Sequence, residues 1–305
     1  MISRIIVLGG LASFAYTNSV VNQHMLDEIR SANAMWEPAE LNDNAFANYT
    51  DEELSTLLGA AIGDVSEFSD VHALEAVPTS FDSRTRWGDC IHPIRNQARC
   101  GSCWAFGASE ALSDRFCIHS KGNVHGVLSA QDLVSCNKAN HACNGGWLDK
   151  AWKYFEANGI PSEDCEPYKS SGGKVPQCPA ACANGQKMRR YKCVAGSTKV
   201  ARGADATKAL IYSSGPVETA FTVYSDFFSY RSGIYHHVKG PAKGGHAVKI
   251  IGWGVQGQEK YWIVANSWGA GWGMKGFFHI RENDSGINSA TFGCTPDLKQ
   301  LEFYE

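Results

Sequence analysis

Eleven cysteines, all between Cys90 and Cys294 and none in the first 89 residues, constrain this 305-residue chain more than any other feature. An odd set leaves at least one thiol outside any disulfide, and a free thiol in an oxidising compartment needs a chemical reason. Two of the eleven, Cys100 and Cys103, stand two residues apart in the stretch "NQARCGSCWAFG", residues 96–107. Such a pair can be a redox dithiol, half of a zinc site, or a disulfide partner beside a nucleophile.

The compartment is read from the other end of the chain. Arg4 and the apolar run "IIVLGGLASFA" have the form of an export signal over residues 1–15, with Ser13 and Ala15 placed for a cut before Tyr16. The alternative is a buried first strand. Exported chains rich in cysteine form disulfides. The sequons at Asn48 ("NYT") and Asn283 ("NDS") fit the same route. Hydrophobic content of 44% and aromatic content of 11% describe a globular protein. No apolar run reaches the roughly 18 residues of a membrane span.

Charge divides the molecule. Residues 16–76 carry twelve Asp/Glu against the single Arg30, whereas residues 77–305 carry 26 Lys/Arg against 19 Asp/Glu. The acidic part is no mere tail. "HMLDEIRSANAMW" has helical spacing, and Thr50 with Glu53 three residues on reads as a capping box. A folded acidic stretch before a basic body suggests a docked pro-segment over residues 16–76. From Val77 to residue 187 the patterns are helical, over residues 102–118, 128–133 and 147–157, with a Gly/Pro/Ser-rich loop over residues 165–182. From Met188 to Glu305 they turn to strands, such as "GHAVKIIGWG" and "KYWIVANSWG". Helices first and strands after predict an α+β protein with a cleft between two halves.

A cysteine at the start of the helix over residues 102–118 would sit on orphan amides and the positive end of the macrodipole, which lower a thiol pKa. A nearby imidazolium would lower it further and give a reactive thiolate. His246 in "GGHAV" and Asn266 in "ANSWG" can supply the ring and the amide oxygen that fixes its tautomer. Trp268 can shield that hydrogen bond. Gly244 and Gly245 clear space for a substrate backbone. Gln97, with the Cys103 N–H, can form an oxyanion hole. Gly145 and Gly146 offer bare backbone to an extended peptide. Against these stand a redox dithiol of Cys100 and Cys103, a zinc site from Cys100, Cys103, Cys178 and Cys182, and a structural core thiol. His236 and His237 are expected to face solvent, and Trp253, Trp262 and Trp272 to pack in the core or cleft.

"CGSCW", with distant His and Asn, matches the papain and cathepsin signature. The chain resembles a papain-family cysteine protease of the cathepsin B-like branch from about Val77 to Pro296. The match includes "CGSCWAFGASEALSDRFCIHS", "CNGG", "GPVETAFTVYSDFFSYRSGIYHHV" and "GGHAVKIIGWG". The resemblance implies a papain-like α+β fold, with a helical left domain, an antiparallel β-barrel right domain and the active site in the cleft between them. It implies a cysteine-type peptidase working through a thioester, with Cys103 as nucleophile beside His246, Asn266 and Gln97. It implies the bridges Cys90–Cys117, Cys100–Cys143, Cys136–Cys178 and Cys165–Cys182; Cys193 and Cys294 match positions that some relatives join. Gly145, Gly146, Gly245, Ala247, Trp268 and Ala290 fall on substrate-binding positions. No cofactor or metal is expected. The expected partners are protein and peptide substrates, the chain's own pro-segment as inhibitor and cystatin-type inhibitors. Nucleic acid is not an expected partner, and the state is a monomer. The expected location is a lysosome-like acidic vesicle or vacuole, or the exterior.

Two departures matter. The branch's occluding loop carries adjacent histidines that hold a substrate's terminal carboxylate. Here no histidine occurs between His141 and His236, and the cysteine pair tying off that loop is missing. An endopeptidase with little dipeptidyl-carboxypeptidase activity is expected. Ala290 stands where the family often has an acid, so a hydrophobic P2 side chain is expected. A non-catalytic relative that binds peptides in the same cleft is the competing reading.

Overall fold

The structure, a computed structural model, describes residues 19–72 and 76–299; the expected export signal lies outside the described residues. The helix expected over residues 102–118 is Cys103–His119. Cys103 through Cys117 are all buried, Glu110, Asp114 and Arg115 included. Helix and strands pack on it from all sides, so its charges need internal partners. Asp114 accepts from the His92 backbone N–H at 3.0 Å and from Lys249 Nζ at 2.6 Å. Arg115 donates to the carbonyls of Pro216, Cys294 and Gly215 at 2.7–3.0 Å.

Ala130–Cys136 and Leu148–Ala157 are the next helices; the first is capped by Ser129, whose hydroxyl accepts from Asp132 N–H. With the long helix they form one apolar cluster around Trp104, Phe116, Leu133 and Trp152. A second cluster, around Phe227, Trp253, Trp262 and Phe278, lies within the sheet half.

The ten-stranded sheet is mostly antiparallel and centres on the long strand Ala242–Gln256. That strand pairs with Val217–Tyr224 on one side and Glu259–Ala265 on the other. This register sets His246 opposite Phe221 and ends the second neighbour just before Asn266. The two outermost strands are Trp36–Pro38 and Ser69–Asp70, both from the acidic N-terminal segment. Those strands were not legible as such: three and two residues are too short to show a period. Gln23–Ser31 and Asp51–Ser55 are the segment's helices, and Thr50 and Glu53 form the expected capping box.

Five disulfides join Cys90–Cys117, Cys100–Cys143, Cys136–Cys178, Cys165–Cys182 and Cys193–Cys294, leaving Cys103 free and buried. Cys100 and Cys103 are therefore not a dithiol pair, and three of the four sulfurs weighed for zinc are spent in bridges. Asp132, Cys136 and Glu166 cluster closely, but Cys136 is bridged and Asp132 accepts from Arg190 and Tyr154.

Candidate active site

Cys103 is the first residue of its helix and is fully buried. The expected low-pKa thiolate is not what this arrangement holds. Burial pushes the Cys103 thiol up to about 12, outweighing the backbone N–H groups of Ala247, Trp104 and Ala60 that favour the anion. Ala60 belongs to the N-terminal segment, so the lid that keeps water from the sulfur comes from the chain itself. The helix terminus acts as foreseen, but desolvation wins while the lid is on.

Across the groove, His246 Nε2 lies 2.7 Å from Asn266 Oδ1, and Nδ1 has no hydrogen-bond partner. The ring stacks on Trp268 with centroids 4.6 Å apart. Burial lowers the imidazole to about 4, against the opposing pull of Asn266. Thiol and imidazole are thus both neutral near pH 7. The contact of the Ala247 backbone with the Cys103 sulfur brings the two walls together.

Gln97 is the most committed side chain of the group. Its Oε1 accepts from Ser267 Oγ at 2.7 Å, and its Nε2 donates to the carbonyls of Cys100 and Leu57, each at 2.9 Å. Leu57 lies in the N-terminal segment. Its carbonyl therefore sits on the amide that would receive a substrate oxygen.

The segment continues past the sulfur between glycines. Gly59 N–H donates to the Gly245 carbonyl at 2.8 Å, and Gly146 N–H donates to the Gly59 carbonyl at 3.1 Å. Ala60–Ala61 then runs parallel to Gly146–Trp147. A Cβ on Gly245 would lie 2.0 Å from the Ala60 carbonyl oxygen, and one on Gly145 would lie 2.3 Å from that of Gly59. Both walls need glycine for a backbone to pass. Ala290 is buried in one apolar cluster with Ala60, Leu148, Ala220 and Ala247. Phe46, also from the N-terminal segment, meets Trp268 edge-on at 5.2 Å.

His236 and His237 do not face solvent as expected; both are half-buried. The His236 carbonyl accepts from Trp36 Nε1, and His237 Nδ1 lies 3.3 Å from Asp226. Trp253, Trp262 and Trp272 are in the core. Asn48 and Asn283 are both exposed. Sequence reasoning missed Leu57, Gly59 and Ser267, although "LLGAAIG" and the serine after Asn266 were in view. It also missed Glu218, buried beneath the helix, which accepts from Trp152 Nε1 at 2.7 Å and is held well above the ordinary 4.5 by burial.

Residues 77–295 match the family described as "Papain family cysteine protease". The chain is 37% identical to the "Gut-specific cysteine proteinase" of Caenorhabditis elegans, over 89% of this chain and 90% of that one. It is 41% identical to "Cathepsin B-like cysteine proteinase 4" of the same organism, over 73% of this chain and 77% of that one. The fold is similar to "proCathepsin B S9 from Trypanosoma congolense", with a TM-score of 0.85, 33% identity, and coverage of 92% of this chain and 99% of that one.

Proposed function

The chain belongs to the papain family of cysteine proteases, and from that premise we propose a self-inhibited zymogen of a cathepsin B-like endopeptidase. Cys103 is the nucleophile, His246 its proton partner, Asn266 the group that orients the ring, and Gln97 the side-chain donor of the oxyanion hole. Residues 16–76 are the pro-segment, residues 77–187 the helical part and residues 188–305 the β-rich part of the peptidase. One observation carries this reading: the Leu57 carbonyl lies on the Gln97 amide while Ala60 seals the only free thiol among the described residues.

In the mature enzyme, loss of the lid readmits water to the sulfur. The helix terminus and the N–H groups around Cys103 then favour the anion, and His246 takes the proton. The thiolate attacks the substrate carbonyl. Gln97 and the Cys103 N–H hold the developing oxyanion, a contribution of about 3 kcal/mol. His246 gives its proton to the leaving amine, and water then hydrolyses the thioester.

Gly145 and Gly146 pair with the acyl half of the peptide. Trp268 keeps water from the His246–Asn266 bond, and Gly245 clears the opposite wall. Ala290, with Ala247 in its apolar cluster, favours a hydrophobic P2 side chain. The absence of an occluding-loop histidine leaves the leaving-group side open, with little dipeptidyl-carboxypeptidase activity. Five bridges suit export to an acidic vesicle or beyond the cell. Asn48 and Asn283 are the glycosylation candidates.

The test is acid activation followed by an epoxide thiol-protease inhibitor and a peptide-library profile. One label per chain is expected, with Phe or Leu enriched at P2. Cys103→Ala should abolish labelling and lower kcat/KM on the order of a thousand-fold or more. Labelling and cleavage that survive this substitution would overturn the assignment.

A further inference from the structure

The short helix Asp51–Ser55 reaches across the mouth of the cleft with two carboxylates. On the sheet wall, Lys243 Nζ donates to both Asp51 oxygens, at 2.7 and 2.8 Å. On the helical wall, Arg99 Nη1 lies 3.0 Å from Glu53 Oε1, and its guanidinium is 5.2 Å from the centre of the Tyr49 ring. Lys243 precedes Gly244, Gly245 and His246. Arg99 stands four residues before Cys103, with its backbone N–H fixed to the Ser171 carbonyl at 2.9 Å. With the pro-segment in place the Lys243 side chain is 14% exposed, whereas that of Arg99 is 59% exposed.

Among the described residues, both cations form ion pairs only with the pro-segment. Its departure leaves two positive charges facing the cleft with no ion-pair partner from the body among the described residues. The direction of the pro-segment tells which side they serve. Along the chain Phe46 packs on Trp268, Leu57 reaches Gln97 and Ala60–Ala61 pair with Gly146–Trp147, so Tyr49 and the short helix come before the sulfur on the path from Trp268 to Gly146, the helix sharing a groove with Cys143 and Asn144. On the reading that Gly145 and Gly146 hold the acyl half of the peptide, Arg99 and Lys243 flank the leaving-group half.

We propose that Arg99 and Lys243 form a paired-cation subsite for a carboxylate on the leaving-group half of the substrate. The ligand is an Asp or Glu side chain one or two residues past the cut bond, within reach of side chains of this length. In the zymogen, Asp51 and Glu53 occupy the place of that carboxylate. Two cations together give a carboxylate more than a single pair would, and they also draw acidic peptides to the cleft.

The test uses the acid-activated enzyme at about pH 6, where glutamate is ionised. Capped peptides that differ only in Glu or Gln at the second residue past the cut are compared. A further pair ends at that residue with a free carboxylate or an amide. The Glu peptide is expected to exceed its Gln twin by about three- to ten-fold in kcat/KM, with the advantage shrinking in about 0.5 M salt. Arg99→Gln with Lys243→Gln should bring the ratio to about one, and Arg99→Glu with Lys243→Glu should turn it in favour of the Gln peptide. A wild-type ratio of one, or a preference unmoved by the double substitutions, overturns the subsite. A free-carboxylate advantage larger than that of Glu assigns the site to the chain terminus and overturns the side-chain ligand. Failure to cleave any of the four peptides instead overturns the peptidase reading on which the subsite rests.

Discussion

The peptidase body and the pro-segment are built from different kinds of contact. The body is cross-linked five times and wrapped around a helix that is buried over almost its whole length. The pro-segment has no cysteine; it adds Trp36–Pro38 and Ser69–Asp70 to the two edges of the sheet and lays Leu57–Ala61 through the cleft. Glu28, Asp51, Glu53, Glu67 and Asp70 pair with Lys239, Lys243, Arg99, Lys153 and Arg202 of the body. Edge pairing and partly exposed ion pairs can be undone without disturbing a core. The inhibitor also buries Ile29, Trp36, Phe46, Leu54 and Leu57 in one apolar cluster with Phe227 and Trp268 of the body, so its release exposes apolar surface as well as breaking edge contacts. Acid should act in opposite directions on two carboxyls, Glu110 of the body and Glu28 of the pro-segment.

The largest effect is expected in the body. Burial raises Glu110 from 4.5 to about 7, against the nearby charges of Lys249 and Arg95, and its Oε1 has no hydrogen-bond partner. A carboxyl whose folded pKa is raised contributes stability that is complete below its unfolded value and is lost as pH rises through the folded one. The window is therefore about pH 4.5 to 7, and the shift corresponds to roughly 3 kcal/mol. Glu218, raised in the same direction, adds to the trend. His246 and His279, whose imidazoles burial lowers to about 4, act with the opposite sign between about pH 4 and 6.5, so the Glu110 contribution is read from the difference between wild type and variant. Glu110→Gln should gain stability relative to the wild type as pH rises from 4.5 to 7, and a difference that stays constant across that window would contradict this.

An intermediate effect is expected where the pro-segment threads the cleft. Gly59 has φ +115°, and a Cβ there would lie 3.1 Å from the Gly145 Cα. Gly59→Ala should weaken docking by about 1–3 kcal/mol through backbone strain and the tight approach to Gly145, while the sequence of the body is unchanged. Full-length protein carrying the change should take up a thiol-directed epoxide at neutral pH faster than the wild type, with an unchanged melting transition of the activated body. Equal labelling rates would mean that the pro-segment is not held by this close passage.

Local features were the legible ones. The start of the Cys103 helix, the capping box at Thr50 and the glycines before His246 each depend on a few adjacent residues, and each could be read directly. The state of the sulfur could not, because it is set by burial among elements distant in sequence, the segment at Ala60 included, and not by sequence-local chemistry. The same reason hid the Leu57 carbonyl on Gln97 and the acids that Lys243 and Arg99 hold. Full burial of Glu110 and Arg115 was hidden too, since a helix enclosed on all sides shows no polar face to mark its neighbours. Pairing of the outermost strands depends on long-range docking that no two- or three-residue pattern reports.

The smallest effect sharpens the contrast in sign. Lys239 hydrogen-bonds Glu28 and holds its carboxyl below the ordinary 4.5. A carboxyl lowered on docking contributes stability above its free pKa, and that contribution is lost as pH falls through the docked value, opposite to Glu110. Glu28 is solvent-accessible, so the pair is screened and its share is small. Glu28→Gln should move the pH midpoint of autoactivation upward by roughly a few tenths of a unit at most, because less docking is left for acid to remove. Lys239→Gln should do the same, and the double substitution should add little beyond either one, since both break one pair. A downward midpoint, or a double substitution that shifts as far as the two singles combined, would show that Glu28 and Lys239 act on separate partners and that acid does not loosen the pro-segment through this contact.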